Sequence, residues 1–278
     1  MRKSTPLRRN PIFVFGPAAV LLALGFSLIT QPGAFGQKHE IILAQLAANK
    51  EAGLVPPTPE FHTYLYPNFA LDFAGTELVV VNKQRPLNPI DFAPSTLREI
   101  KSSKSLDNSR GLQLADNAAN AIEKMAVDLT AAGLGPLFIN SAYRSYDYQV
   151  ELFESKTEQY GLEGALIRSA KAGHSEHQTG LAADVSVTSQ GCAIMQCFGD
   201  TAAGEWIAEH AHEYGLIIRY EEDTTSITGY TYEPWHLRYV GLEVAKLYSE
   251  RGMHTLEEFW NLPSAEFYLE EITESTSS

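Results

Sequence analysis

A short segment near the middle of the chain carries two histidines and two carboxylates. It runs from Gly173 to Asp184 and reads GHSEHQTGLAAD. After Gly180 the residues alternate with the period of a β-strand, which predicts that Asp184 projects from the polar face of that strand. We expect its carboxylate to meet His177, which belongs to the preceding loop.

A second segment, at positions 232–236, reads YEPWH. Proline suits the first position of a helix, so this segment predicts a helix from about Trp235 to Arg251. Glu233 and His236 are three residues apart, and at the start of a helix this spacing puts both side chains on one face. A carboxylate and an imidazole should therefore point at the same spot.

These side chains match the requirements of a catalytic zinc ion. Such a site has three protein ligands with nitrogen or oxygen donors, an open position for water, and a nearby carboxylate that takes the proton of that water. His177, Asp184 and His236 supply the ligands, and Glu233 supplies the base. A cysteine-rich zinc site is excluded, because the chain has only two cysteines.

A third segment, Ser141–Gln149, places an arginine just after a predicted strand. The guanidinium of Arg144 could clamp a carboxylate or stabilise an oxyanion, and a structural ion pair is the alternative.

Two readings remain for other residues near these segments. His174 could line the cleft or could have a structural role. Several aromatic residues could likewise form the wall of a groove or pack in the core, namely Tyr143, Tyr146, Tyr230, Tyr232 and Trp235.

The remaining patterns predict an α+β domain with a small antiparallel sheet flanked by helices, because helices and short strands interleave without a βαβ rhythm. Periodicity and stop signals place the elements. The expected strands cover residues 78–81, 137–143 and 216–220. The expected helices cover about 118–132, 146–160, 200–214 and 235–251, and the first of them stops at Gly133.

The N-terminus has the pattern of an export signal. Basic residues precede an uncharged apolar run at positions 12–29, and small residues allow cleavage after Gly36. The run also approaches bilayer-spanning length, so residues 1–36 form either a cleaved signal peptide or a retained membrane anchor. Both outcomes place the rest of the chain outside the cytoplasmic membrane. In that oxidising compartment we expect Cys192 and Cys197 to form a disulfide.

The organisation of the rest follows from composition. Residues 37–77 are rich in proline and predict a linker or strap, residues 78–260 form the compact domain, and residues 261–278 form a polar tail. The 278-residue chain has a net charge of −13. This acidity argues against nucleic acid as a partner, since phosphate contacts need clustered basic residues. We expect a monomer that touches the membrane only through its N-terminal segment.

The joint pattern S-x-H-x-x-G-x-A-x-D at Ser175–Asp184 and E-P-W-H at Glu233–His236 resembles the VanY-type zinc D-alanyl-D-alanine carboxypeptidases, which trim bacterial peptidoglycan. The resemblance extends over roughly residues 78–252. It implies the fold shared with other zinc muramyl-peptide hydrolases and with the hedgehog signalling domain. It also implies one zinc ion on His177, Asp184 and His236.

The same resemblance implies roles around the metal. Glu233 would be the general base and acid, and Arg144 would bind the substrate and the transition state. Gln149 and Ser175 match positions that help to hold the terminal carboxylate of the substrate. The expected substrate is a peptidoglycan stem peptide ending in D-Ala-D-Ala. The alternatives are an L,D-carboxypeptidase, a peptidoglycan endopeptidase, or a non-catalytic wall-binding module on the same scaffold.

Overall fold

The computed structural model describes residues 71–269 and residue 271. The predicted export segment and most of the predicted linker lie outside these residues. The strands are β1 (Arg98–Glu99), β2 (Leu106–Asp107), β3 (Gln113–Leu114), β4 (Leu137–Ser141), β5 (Ala182–Ser186), β6 (Leu216–Ile218) and β7 (His236–Tyr239). The α-helices are α1 (Asp116–Ala131), α2 (Tyr146–Leu166), α3 (Ala202–His210), α4 (Thr225–Thr228), α5 (Leu242–Glu250) and α6 (Leu256–Phe259).

A five-stranded sheet in the order β2-β4-β5-β7-β6 forms the centre of the domain. Strands β2 and β4 are parallel, and the other neighbours are antiparallel. Strands β1 and β3 form a separate two-stranded sheet. The predicted α+β architecture with a small, mainly antiparallel sheet is confirmed.

Helix α1 shows how apolar periodicity positions an element against the sheet. The stripe Ala118, Ile122, Met125 and Leu129 is buried, with at most 1% of each side chain exposed, in one core cluster with residues of β4 and β5. The helix ends before Gly133, whose positive φ of 80° suits glycine at this turn. The predicted helix and its stop are confirmed.

Two expected elements are wrong. Residues 78–81 form no strand. Val79, Val80 and Val81 are buried, but the hydrogen bonds of this segment do not form a sheet ladder. Val80 N–H donates to the carbonyl of Leu71, and Arg238 donates to the carbonyl of Val79. Apolar β-branched residues predict burial here, and tertiary contacts replace the expected strand partner.

The helix expected over residues 235–251 is wrong in its first part. His236–Tyr239 is β7, which pairs with both β5 and β6, and helix α5 begins only at Leu242. Gly241, with a φ of 84°, separates the two elements. Pairing with β5 and β6 outweighs the local preference for a helix after Pro234, because these residues are buried when they form a strand inside the sheet.

The other predicted elements differ mainly in their ends. Helix α2 extends to Leu166 across a break at Gly161, whose φ is 72°. Helix α3 ends at His210 and continues as a 3₁₀ turn, Ala211–Tyr214, before β6. Packing reaches past both predicted domain limits, since Leu71 and Tyr268 are fully buried.

The expected disulfide is confirmed: Cys192 and Cys197 are bonded in the loop between β5 and α3. Among the described residues, the helices are too short or too polar for any of them to cross a bilayer.

Candidate metal centre

The sheet and one turn bring the three predicted metal ligands together. Asp184 of β5 and His236 of β7 are direct cross-strand neighbours. His177 lies in the 3₁₀ turn Glu176–Thr179, and Gly180, with a φ of 72°, ends that turn just before β5. One potential ligand atom from each of His177, Asp184 and His236 lies within 4.8 Å of the others.

Hydrogen bonds fix which nitrogen of each imidazole faces this centre. His177 Nδ1 lies 2.7 Å from the carbonyl oxygen of Ala142, so it carries the proton and Nε2 faces Asp184 Oδ2 at 3.3 Å. His236 has the opposite orientation. Its Nε2 lies 3.3 Å from Glu176 Oε2, and its Nδ1 lies 3.2 Å from Asp184 Oδ1.

The donor set fits a metal ion. Within the described part of the chain, His177 Nε2 and Asp184 Oδ1 are buried and lack a hydrogen-bond partner of good geometry. Buried polar atoms normally have a partner, so two such atoms in one cluster are available to coordinate a metal ion. Two imidazole nitrogens and a carboxylate oxygen are donors that divalent zinc accepts, and three protein ligands leave a position open.

Electrostatics around the imidazoles agrees with this reading. Burial and the charge of Arg144 lower the pKa of His177 to about 4, which keeps that ring neutral and its lone pair available. Burial opposes protonation of His236, but Asp184 and Glu176 outweigh burial and raise its pKa to about 9. A metal ion held by Nδ1 of His236 would therefore take the place of a proton.

Glu233 lies beside the cluster, held by a tight turn rather than by the expected helix start. The N–H of His236 donates to the carbonyl of Glu233 at 3.0 Å, and the N–H of Glu233 donates to the carbonyl of Tyr220. Glu233 Oε2 is 3.7 Å from His236 Nδ1. Burial raises the pKa of Glu233 to about 7, which suits a group that takes and returns a proton near neutral pH.

Arg144 follows β4 and faces the same centre. Its backbone N–H donates to the carbonyl of His177 at 3.2 Å, and its Nη2 lies 3.9 Å from Asp184 Oδ2. Its Nη1 donates to Gln149 Oε1 at 2.9 Å. Its Nε is buried without a hydrogen-bond partner among the described residues, so the guanidinium retains a donor for an anionic group.

Of the two residues expected to hold a substrate carboxylate, one lines the cavity and the other lies behind Arg144. Ser175 lines the cavity beside His177. Gln149 is fully buried behind Arg144, where its amide donates to Ser169 Oγ and to the carbonyl of Ala170. The geometry therefore makes Gln149 a support for the guanidinium.

The three predicted ligands, Glu233 and Arg144 line one cavity of about 360 Å³. Two of the aromatic residues left open by the sequence, Tyr230 and Trp235, lie on its wall. Three cationic side chains also line it, namely Arg110, Lys156 and Arg168. A cavity of this size accommodates the end of a peptide.

Comparisons with known proteins agree with this geometry. Residues 111–242 match the family model "VanY: D-alanyl-D-alanine carboxypeptidase". A putative carboxypeptidase of Bacillus subtilis, YodJ, is 38% identical over 191 residues, which are 66% of this chain and 66% of the relative. The solved LdcB LD-carboxypeptidase is 37% identical with a TM-score of 0.60, over 69% of this chain and 88% of that chain. The chain belongs to the VanY family.

A further VanY structure extends the comparison to a metal complex. It is a mutant form of a vancomycin-resistance D,D-pentapeptidase with Zn(II), 28% identical to this chain with a TM-score of 0.55. The alignment covers 66% of this chain and 98% of that one. By contrast, this chain spans only about two thirds of the length of its Bacillus subtilis relative.

A buried charged network that the sequence patterns do not predict lies behind the VanY-family site. Glu176 accepts hydrogen bonds from Arg219 and Arg238, both at 2.9 Å, and Arg219 also pairs with Glu257 at 2.7 Å. None of these side chains is more than 1% exposed. Arg219 directly follows the apolar run Leu216–Ile218, and a charge at the end of so apolar a strand is the signal that could have revealed it.

His174, the histidine whose role was left open, is structural in this VanY-family chain. Its Nδ1 lies 2.8 Å from the carbonyl oxygen of Asn82, and its ring meets the ring of Tyr268 edge to face at 5.0 Å. It does not line the cavity.

Proposed function

We propose that this chain is a zinc carboxypeptidase that hydrolyses the terminal D-Ala from peptidoglycan stem peptides ending in D-Ala-D-Ala. The observation that carries the proposal is the convergence of His177, Asp184 and His236 on one point beside Glu233. Membership of the VanY family and the likeness to a Zn(II)-bound VanY structure support the choice of metal and reaction.

Each residue has a definite task in this reaction. When bound, zinc supplies Lewis-acid chemistry and acidifies a water molecule. Glu233 takes the proton of the attacking water and returns it to the departing amine of D-Ala, and a pKa of about 7 allows both transfers. Arg144 donates from its guanidinium to the substrate or to the developing oxyanion, since a charged donor that is already oriented stabilises negative charge as it forms.

A second candidate is an L,D-carboxypeptidase, which removes the last D-Ala of a tetrapeptide stem. The likeness to LdcB favours it, because both the identity and the TM-score with that LD-carboxypeptidase exceed those with the VanY D,D-pentapeptidase. The two activities need the same metal, base and clamp. The stereochemistry of the residue before the scissile bond distinguishes them.

The test is to incubate zinc-loaded protein with purified pentapeptide and tetrapeptide stems and to identify the products by mass. Release of one D-Ala from the pentapeptide alone supports the first candidate, and release from the tetrapeptide alone supports the second. A dipeptide product would indicate an endopeptidase. If neither stem gives a product, hydrolysis is contradicted and a wall-binding module is favoured. The presence of both Glu233 and Arg144 argues against that outcome, because a non-catalytic module does not need a base or an anion-binding arginine.

We also propose that the catalytic domain works outside the cytoplasmic membrane, secreted or anchored to its outer face. The basic and apolar N-terminal pattern supports export, and the disulfide between Cys192 and Cys197 is typical of proteins in oxidising compartments. The substrate lies in the same place. Cell fractionation with an antibody to the domain tests this, and recovery of the protein in the cytosol would contradict it.

A further inference from the structure

Glu176 directly precedes the metal-binding residue His177, but its side chain points away from the cavity wall. It is 1% exposed and does not line the cavity. Its Oε2 lies 3.3 Å from Nε2 of His236, which is 60 residues further along the chain. The carboxylate therefore contacts the far side of the ring whose Nδ1 faces the metal centre.

Two buried arginines hold Glu176 in this position. Its Oε1 accepts from Arg219 Nε and from Arg238 Nη1, both at 2.9 Å. Arg238 is in turn fixed by the carbonyls of Glu77 and Val79, at 3.0 and 2.7 Å. A carboxylate between two cations stays ionised, and an ionised carboxylate only accepts hydrogen bonds.

This acceptor favours a proton on one particular nitrogen of the His236 imidazole once the ring is neutral. A neutral imidazole has one N–H and one lone pair, and a partner that only accepts selects the tautomer with the proton on the nearer nitrogen. Beside Glu176 that nitrogen is Nε2. Nδ1 faces the second carboxylate, Asp184 Oδ1, at 3.2 Å, and when a metal ion displaces the proton at Nδ1, the proton that remains on the ring is the one on Nε2. His177 is oriented in the same manner by a group that only accepts, the carbonyl of Ala142.

We propose that Glu176 is a positioning residue that keeps His236 in the Nε2–H tautomer and in the orientation needed to bind the metal through Nδ1. This inference rests on the proposed zinc-dependent function. Partners of this type behind a metal-binding histidine typically change metal affinity by about 10- to 100-fold when mutated.

The chain offers a matched pair of variants, Glu176→Gln and Glu257→Gln. Both side chains are buried and both pair with Arg219, so both variants disturb the same charged network. Only Glu176 contacts His236. A glutamine at position 176 can turn its NH₂ toward Nε2 and favour the tautomer that has no lone pair at Nδ1.

The measurement is the zinc dissociation constant of each full-length protein, obtained by competition with a chromogenic chelator, beside its urea denaturation midpoint. We expect both variants to be less stable, with zinc binding weakened about 10- to 100-fold in Glu176→Gln and unchanged in Glu257→Gln. Equal affinities in wild type and Glu176→Gln, or an equal loss in both variants, would overturn the positioning role alone. A wild-type protein that binds no zinc would overturn the proposed function as well.

A second measurement does not depend on the folding of any variant. Nitrogen-15 spectra of the zinc-loaded wild-type protein should show the ring proton of His236 on Nε2, exchanging slowly because the group is buried against Glu176. A proton on Nδ1, or rapid exchange of the Nε2 proton with water, would overturn the proposal.

Discussion

Glu233 and His236 are three residues apart in sequence and have different tasks in the proposed reaction. Both face the same centre, with 3.7 Å between Glu233 Oε2 and His236 Nδ1. In that reaction His236 would be a metal ligand through its nitrogen, whereas Glu233 would accept and return a proton. Substitution can separate a ligand from a base, because loss of a ligand changes metal content and loss of a base does not.

At the residue scale we expect Glu233→Gln to keep zinc while turnover falls about 100-fold or more, since glutamine keeps the shape but cannot accept the proton of water. His236→Ala should lose both zinc and activity, because it removes one of three protein ligands. Metal content after dialysis and the turnover of each variant check the prediction. Loss of zinc from Glu233→Gln, or a full equivalent in His236→Ala, would show that the two roles are assigned wrongly.

At the scale of elements, the turn that carries His177 depends on Gly180. Its φ is 72°, and a Cβ added there would lie 2.8 Å from Leu97 Cδ2 and 3.3 Å from the backbone nitrogen of Ala115. Ala115 N–H also donates to the carbonyl of Gly180 at 2.9 Å, so the two chain segments cannot easily separate. Close packing at this glycine therefore connects the turn that carries His177 to the start of α1.

We expect Gly180→Ala to destabilise the fold and to weaken zinc binding. The control is Gly133→Ala, because Gly133 has a similar φ of 80° but no atom within 4 Å of an added Cβ. The control should lose about 1 kcal/mol from the unfavourable φ alone. Gly180→Ala should lose measurably more and bind zinc less tightly, as judged by urea denaturation and chelator competition. Equal losses of stability in the two variants would contradict the packing argument.

At the scale of the whole molecule, Lys83 connects segments from the two ends of the described chain. Its side chain is buried, with Nζ donating to the carbonyl of Glu266 at 2.9 Å and lying over the ring of Tyr230. Burial lowers the pKa of Lys83 to about 8, against attraction from Glu271 and Glu266. The charge of this lysine therefore carries a cost in the folded state.

Between pH 8 and 10.5 the unfolded chain keeps the proton of Lys83 while the folded chain has released it, so this group makes the fold more stable as pH rises. We expect wild type to gain stability relative to Lys83→Met across this window, by at most about 1.4 kcal/mol per pH unit. Urea denaturation of both proteins at pH 7, 8, 9 and 10 measures the difference. A constant difference would show that the pKa of Lys83 is not lowered by folding.

Local signals predicted much of the fold and the site. The stripe of α1 and the stop at Gly133 follow from the 3.6-residue period and from the backbone freedom of glycine, both properties of neighbouring residues. The types and spacing of His177, Asp184, Glu233 and His236 suggested a metal centre because few side chains bind zinc. The structure places the three predicted ligands together.

The sequence by itself therefore determined which side chains could do chemistry, the class of fold and most of the helices. Only the tertiary structure decided that residues 236–239 form a strand, because a strand is defined by partners, and β5 lies about fifty residues earlier. It also placed Glu176 behind His236, across 60 residues of sequence. A buried carboxylate is stable only where the fold supplies cations and donors, so no local pattern around Glu176 shows what it contacts.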